Sequence, residues 1–504
     1  MSAALTGLTL FLADEEDSHR FGMDLALSLR AGDAILLSGD LGSGKTTIAR
    51  ALIRTHLADD EAEVPSPTFT LVNAFEAGRI PLYHYDFYRI TEAEEIEEIG
   101  FSDHLEGSIT LVEWPENAEA LLPQMAMTIR IEIEGTGRRV TLGGDTRIVD
   151  RVNRSLRIRD FLEESGFSSP ERRFLQGDAS SRAYEIIKDP ARGKAILMNW
   201  PAQTEQPVLQ NGKTYSEAAH LATDVGPFVA IGEALRGRGF PAPELYGIDL
   251  DRGFLIMEDF GSATVAENSE PVISRYEVAV DLLARLHSFD WPDSAPVNED
   301  RTHYLSTFDR SIFDIEIGLL IDWYVPHVAE KTLSERAKQD YNEIWSALFQ
   351  HLEQAEKSWL LRDFHSPNLM WRENKTGEAR IGLIDYQDAL IGPSAYDVAS
   401  LCQDARVTVT AENEKALVNR YVAARIAVSQ DFDTVDFARD YAIIAAQRGT
   451  RLLGLWPRLK VRDAKPHYMK HMPRTIDYLD RALCHPALSD LAGWYRNNLG
   501  LFVR

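Results

Sequence analysis

Residues 31–53, AGDAILLSGDLGSGKTTIARALI, change periodicity halfway along. Ala34, Ile35, Leu36 and Leu37 form a continuous apolar run of strand length, and after Lys45 the apolar residues recur at helical spacing. Between them residues 39–46, GDLGSGKT, satisfy G-x-x-x-x-G-K-[ST] in the strand, loop, helix setting that the motif's mechanics require. Glycines let backbone N–H groups wrap phosphates, and the helix N-terminus adds the positive end of its dipole. The expected nucleotide-binding residues are Gly39, Gly42, Ser43, Gly44, Lys45, Thr46 and Thr47, with Lys45 reaching the outer phosphates of ATP and Thr46 ligating Mg²⁺. The stretch opens an α/β unit.

Outward from the loop, β-rich runs follow at 68–75, 82–87, 109–113 and 128–134, with the acidic helical run TEAEEIEEIGF between the second and third. The segment GTGRRVTLGGDTR, 135–147, breaks periodicity, and 146–156 reads as a domain boundary. A boundary is needed, because single cores stop growing near roughly 250 to 300 residues and this chain has 504. Beyond it the pattern is mixed α/β to about 261, then long amphipathic helices interrupted by a strand-and-loop cluster at 359–397.

Composition narrows the function classes. The net charge is −25, and the first 148 residues hold 11 Lys and Arg against 26 Asp and Glu, so general nucleic-acid binding, which needs basic surface, is disfavoured. Two cysteines, Cys402 and Cys484, give neither a disulfide framework nor a zinc site and fit a reducing cytoplasm. Neither a signal peptide nor an apolar stretch of membrane-spanning length is read.

Three polar clusters stand at strand ends, where open α/β sheets bind ligands: SPTFT at 66–70, HYDFYR at 84–89 and VEWPE at 112–116. Asp86 is placed to hold the metal directly or through water, and Glu113 to polarise the attacking water or fix the metal shell. Together with the loop these clusters resemble the TsaE family, the ATPase subunit of the bacterial machinery that makes tRNA threonylcarbamoyladenosine, over residues 1–148. The resemblance implies functional roles for Lys45, Thr46, Asp86, Glu113 and Trp114, a switch-type threonine at Thr68, and ATP hydrolysis coupled to partner subunits of the TsaB and TsaD type. A metabolite kinase on the same loop is the competing reading, and it would want a basic lid.

The later cluster LLRDFHSPNL, 360–369, followed by IDYQD, 384–388, gives D-x-x-x-x-N and then an apolar strand ending in Asp. That is the arrangement of a protein-kinase-like catalytic loop and metal segment. Asp363 would accept the substrate hydroxyl proton, and Asn368 and Asp385 would hold Mg²⁺. Asp397, in the Gly-Pro-x-x-x-Asp element at 392–397, reads as a buried anchor. Upstream, GDASSRAY at 177–184 offers Ser180, Ser181 and Arg182 to the nucleotide, and FLIMEDFG at 254–261 reads as the strand and hinge, with Glu258 and Phe260, that would bond adenine.

These parts, in order, resemble the aminoglycoside-phosphotransferase-like kinases over about 155–504. They are most similar to the AmgK-type kinases that phosphorylate the anomeric hydroxyl of N-acetylmuramate and N-acetylglucosamine in cell-wall recycling. The implied fold is an α/β P-loop NTPase domain, 1–148, followed by an α+β two-lobed protein-kinase-like domain, 149–504, with its N-lobe at 149–261 and a mainly helical C-lobe at 262–504. Met198 stands where relatives carry a strand lysine, leaving Lys188 or Lys194 as substitutes, and Leu361 stands where a histidine is common. A carboxylate-bearing sugar would favour a cation, for which Arg448, Arg451, Arg458 and Arg462 are candidates. His365 and Glu316 would touch the sugar or pack. An aminoglycoside or choline-type kinase, or a regulatory pseudokinase module, is the alternative.

Overall fold

The computed structural model describes residues 7–90, 95–96, 99–175, 182–202, 212 and 214–502. Two compact units result: Met1–Asn199 with Tyr246–Asp249 and Phe254–Ile256, and the remainder of the chain from Trp200.

The first unit opens as β1 (Thr9–Leu12), α1 (Glu15–Ser28), β2 (Ala34–Ser38), α2 (Lys45–Leu57), β3 (Val72–Phe75), β4 (Leu82–Asp86), β5 (Ile109–Glu113), β6 (Ala126–Glu134), β7 (Gly137–Gly144) and α3 (Thr146–Glu164). The strands form one sheet in the order β1-β7-β6-β2-β5-β4-β3. β6, β2, β5 and β4 run parallel, and β1, β7 and β3 join by antiparallel pairing. Central parallel strands are covered on both faces and so read as unbroken apolar runs, as AILL and ITLV do.

Two sequence expectations change. Of 68–75 only Val72–Phe75 is strand. Leu71 adopts φ +63° and donates its N–H to Pro67 O at 2.7 Å, turning the chain. Residues 137–144 are a strand, because Gly135 at φ +61° makes the hairpin turn and Val140 and Leu142 alternate into the core.

The segment 146–156 is the first part of a 19-residue helix, α3, whose N-cap Asp145 accepts from Arg147 N at 2.9 Å. Ile148, Val152 and Leu156 lie four residues apart and belong to the core packed on the first sheet. Ile158 is two residues, about 200° of rotation, beyond Leu156. With Phe161 and Leu162 it packs on Phe167, Ile187, Ala195, Leu197, Phe254 and Ile256. Those residues include members of a second sheet, β8 (Glu171–Leu175), β9 (Ala183–Asp189), β10 (Gly193–Asn199), β11 (Leu245–Asp249) and β12 (Phe254–Glu258), in the order β11-β12-β10-β9-β8. One helix therefore serves two cores, and the expected 148/149 division falls inside it.

A buried ion cluster joins the same parts. Arg172 of β8 donates to Asp24 of α1, to Ser155 O of α3 at 3.2 Å and to both oxygens of Glu185 of β9, at 2.7 and 3.0 Å. Arg159 stands 3.1 Å from Asp24 Oδ2. Burial raises the Asp24 carboxyl pKa despite these cations.

The second unit holds α4 (Gly226–Gly237), α5 (Ile273–Leu286), α6 (Arg310–Leu319), α7 (Glu335–Glu353), α8 (Ala395–Cys402), α9 (Ala411–Val428), α10 (Thr434–Val461), α11 (Met472–Ala482) and α12 (Ser489–Leu499). The cluster expected at 359–397 consists of two antiparallel pairs, Lys357–Leu360 with Leu390–Pro393 and Leu369–Trp371 with Ile381–Leu383. No helix among the described residues is long and apolar enough to cross a membrane.

Candidate active sites

The first site is built by adjacent strand ends. β2 runs into the loop, and Glu113 is in register with both Leu37 of β2 and Asp86 of β4. Gly39, Gly42 and Gly44 hold φ of +146°, +77° and +107°, and a Cβ on Gly39 would lie 2.3 Å from Ile131 O. Only glycine fits there.

Thr46 Oγ1 donates to Glu113 Oε2 at 2.9 Å, and buried His84 Nε2 meets Glu113 Oε1 at 3.0 Å. Asp86 Oδ2 accepts from Thr68 Oγ1 at 2.7 Å and Ser66 Oγ at 3.1 Å, while its Oδ1 accepts from Tyr88 N at 2.9 Å. Lys45 Nζ donates to Gly39 O at 2.6 Å and Asp40 O at 3.1 Å and lies 3.6 Å over the Trp114 ring. Burial pulls its pKa down, against the charges of Glu113, Glu116, Asp86 and Asp40. Ser43 is buried and Thr47 half-buried on the first turn of α2.

Two residues here escaped the sequence reading. Arg138 of β7 donates Nε to Ser43 O at 2.8 Å, bracing the loop from across the sheet. His84 stood in a quoted motif, but only the sheet register aims it at Glu113.

The second site lies in the second unit. Asn368 Nδ2 donates to Asp363 O at 3.1 Å and to Asp385 Oδ2 at 3.2 Å, and Gln387 Nε2 donates to Asp385 Oδ1 at 3.0 Å. The carboxylate of Asp363 is 37% exposed, with His365 Nε2 at 3.7 Å from Oδ1. Burial works to raise its pKa, but His365, Arg451 and Arg362 outweigh it and hold the group below the usual carboxylate range. A hydroxyl proton acceptor must be ionised, and these cations favour that form of Asp363.

Two buried carboxylates fix the loop. Asp397 accepts from Leu361 N at 2.5 Å and Arg362 N at 2.9 Å, and Asp404 accepts from Ser366 N at 2.7 Å and Tyr276 hydroxyl at 2.8 Å. Arg362 and Asp385 carry φ of +69° and +61°, conformations that side chains tolerate only when surroundings impose them. Asp404 had no sequence signal, since 38 residues separate it from Ser366.

Arg372 bonds Glu258 Oε1 at 2.7 Å and lies 4.4 Å over the Phe260 ring, and Phe260 fills the space against Gly382. Met198 is buried opposite Tyr184 of β9. Lys194 pairs with Lys188 at the far end of that hairpin, both are exposed, and Lys188 bonds Glu171 at 3.1 Å, so neither takes the position of Met198. Ser180 and Ser181 lie outside the described residues, and Arg182 directly precedes β9.

Both sites fit Mg²⁺. Among the described residues no group of three or more His, Cys, Asp or Glu forms a metal cage. Mg²⁺ needs none, because it keeps several waters and takes one or two carboxylates plus phosphates. Thr46 with Asp86 and Glu113, and Asn368 with Asp385, are such sets.

Fold and sites define a P-loop ATPase joined to a protein-kinase-like phosphotransferase. The chain belongs to the phosphotransferase enzyme family, matched over residues 171–438, and over residues 12–140 to the family of the threonylcarbamoyl adenosine biosynthesis protein TsaE. The N-acetylmuramate/N-acetylglucosamine kinase of Caulobacter vibrioides is 32% identical over 349 residues, 66% of this chain and 94% of the relative. Its counterpart in Pseudomonas aeruginosa is 30% identical, over 53% of this chain and 76% of the relative. The tRNA threonylcarbamoyladenosine biosynthesis protein TsaE of Rickettsia felis is 33% identical, over 32% of this chain and 98% of the relative. The chain is an enzyme with ATPase and phosphotransferase halves, both using ATP and Mg²⁺.

Proposed function

We propose that the N-terminal half hydrolyses ATP in support of tRNA threonylcarbamoyladenosine synthesis, with TsaB- and TsaD-type partner subunits, and that the C-terminal half phosphorylates the anomeric hydroxyl of N-acetylmuramate or N-acetylglucosamine in cell-wall recycling. The setting is the cytoplasm.

In the first half Lys45 and the loop amides would hold the phosphates, Thr46 and Asp86 would hold Mg²⁺, and Glu113, steadied by His84, would orient the attacking water. Trp114 and the glycine loop close on the nucleotide side. Leu41 in the loop and Phe69 in the 66–70 cluster, 76% and 84% exposed, are surface for a protein partner, not a clamp for a small acceptor.

In the second half the observation that carries the reading is the backbone of Asp363 joined through Asn368 to Asp385 on a loop pinned by two buried carboxylates. Asp363 takes the proton of the acceptor hydroxyl as its oxygen bonds to the γ-phosphorus, and ADP leaves. Asn368 and Asp385 would hold Mg²⁺, which would supply neutralisation of the phosphate charge.

The test assays the full chain with ATP, Mg²⁺ and a panel of amino sugars, aminoglycosides and choline-type alcohols. Turnover confined to N-acetylated amino sugars is expected, and turnover of an aminoglycoside or choline alone overturns the reading. For the first half, Lys45→Ala is expected to abolish threonylcarbamoyladenosine formation in a reconstituted system with the partner subunits. Brisk phosphorylation of a nucleoside monophosphate would favour the metabolite kinase instead.

A further inference from the structure

Arg448, Arg451 and Arg458 of α10 are three and seven residues apart, a spacing that stacks side chains along one face of a helix. Among the described residues, the surroundings of Arg448 and Arg458 leave donors unused. Arg448 is buried 4.9 Å over the Tyr396 ring, and among the described residues its Nη1 has no hydrogen-bond partner. Arg458 lies 5.2 Å over the Tyr215 ring, donates to its hydroxyl at a long 3.4 Å, and leaves a buried Nε without a partner among the described residues.

Arg451 connects this face to the chemistry. Its Nη1 reaches Glu316 Oε1 at 3.5 Å and the Tyr396 hydroxyl at 3.3 Å, and its charge acts on both Asp363 and Tyr215. Glu316 is itself shared, accepting from Gln447 at 2.6 Å and Arg362 at 3.3 Å. One carboxylate thus serves several cations, and buried guanidinium N–H groups without acceptors are rare enough to need an explanation. Arg462 is different: it is exposed and paired with Asp463 at 2.7 and 3.1 Å.

We propose that Arg451, Arg458 and Tyr215 form an anion-reading wall beside Asp363, which selects an acceptor that carries a carboxylate as well as the reacting hydroxyl. The inference rests on the amino-sugar reading and narrows the four arginine candidates to Arg458, which lies on Tyr215, and Arg451, whose charge reaches it. The planar guanidinium fork matches a carboxylate bidentately, and Glu316 keeps Arg451 oriented when no acceptor is present. Arg448 backs the wall through Tyr396.

N-acetylmuramate and N-acetylglucosamine differ by the lactyl ether that bears the carboxylate, so the ratio of their kcat/KM values in the full chain reads the wall directly. Arg458→Gln is expected to lower the ratio of the acidic to the neutral sugar by about 10- to 100-fold, the worth of a charge-assisted hydrogen bond. Arg458→Lys, which keeps the charge and loses the fork, should recover part of it, and Tyr215→Phe should lower it severalfold. Equal losses on both sugars, or a loss confined to the KM for ATP, leave the ratio unchanged and overturn the wall. Phosphorylation of neither sugar by the unaltered chain is a separate result, and it overturns the amino-sugar reading along with the wall.

Discussion

Asp363 carries its charge under opposing influences: burial disfavours it, while His365, Arg451 and Arg362 favour it and win. Replacement by Asn removes the base and keeps the shape. Asp363→Asn is expected to lower kcat by about 10²- to 10⁴-fold with KM for each substrate within about threefold, checked by steady-state formation of the phosphorylated acceptor. Two buried histidines of the second unit set an acid limit. His287 bonds Tyr421 hydroxyl at 2.8 Å, and burial, then Arg425, depress its pKa to about 3. Burial, then Arg474, Arg406 and Lys470, depress that of His471 to about 4, against Asp404. Both start from 6.5, so between that pH and the depressed values the unfolded chain binds more protons than the folded one. Their contribution is fully present above pH 6.5 and is lost as pH falls toward about 4 and then about 3. Each adds about 1.4 kcal/mol per pH unit at most within its window. Urea melts of His287→Phe should show a shallower decline between pH 6.5 and 4 than the unaltered chain, and an identical decline would refute the assignment.

At the scale of elements, α3 is the informative one. Phe161→Ala opens a cavity in the N-lobe core and is expected to destabilise the first unit by about 3–5 kcal/mol. Arg172→Ala strands Asp24 and Glu185 without their shared cation and should cost about 3–5 kcal/mol. In both variants denaturant unfolding followed at the ATPase core, through Trp114 fluorescence, should shift with the N-lobe signal, because α3 and the Arg172 cluster contribute to both. A shift of the N-lobe signal alone would show separate cooperative units. The sequence made α3 hard to see for a physical reason. Its apolar residues face two directions, 148-152-156 and 158-161-162, so no single stripe emerges, and the arginines between them read as a linker. β7 was hidden similarly, since its glycines and arginines mask the alternation of Val140 and Leu142. By contrast β2, the glycine loop and α2 were legible together, because apolar run, turn chemistry and helical period agree there.

For the whole molecule the consequence concerns where the chain can be divided. A fragment ending at residue 145 loses Ile148, Val152 and Leu156 from the ATPase core, three buried aliphatic side chains worth about 1.5–3 kcal/mol each. A fragment ending at residue 166 keeps them. The 1–166 fragment is therefore expected to melt well above 1–145 by circular dichroism, and equal melting temperatures would show that α3 adds nothing to the ATPase core. A kinase fragment starting at 150 begins inside α3 and exposes the other side of the same helix, so the full chain is the proper reagent for assays of the second site.

The sequence by itself determined the two chemistries. A phosphate loop needs contiguous glycines, Lys45 and Thr46, and a kinase loop needs Asp363 five residues before Asn368, and such local requirements are written in consecutive residues. It also supplied Asp86, Glu113 and Asp385, each at the end of an apolar strand. Only the tertiary structure decided what stands around them: His84 on Glu113, Arg138 on the glycine loop, Asp404 under Ser366, and the charge of Arg451 of α10 acting on Asp363. It alone made α3 a member of two cores. The side-chain relations among these join residues from 29 to 95 positions apart, and nothing in a local pattern records which distant side chain burial will bring alongside.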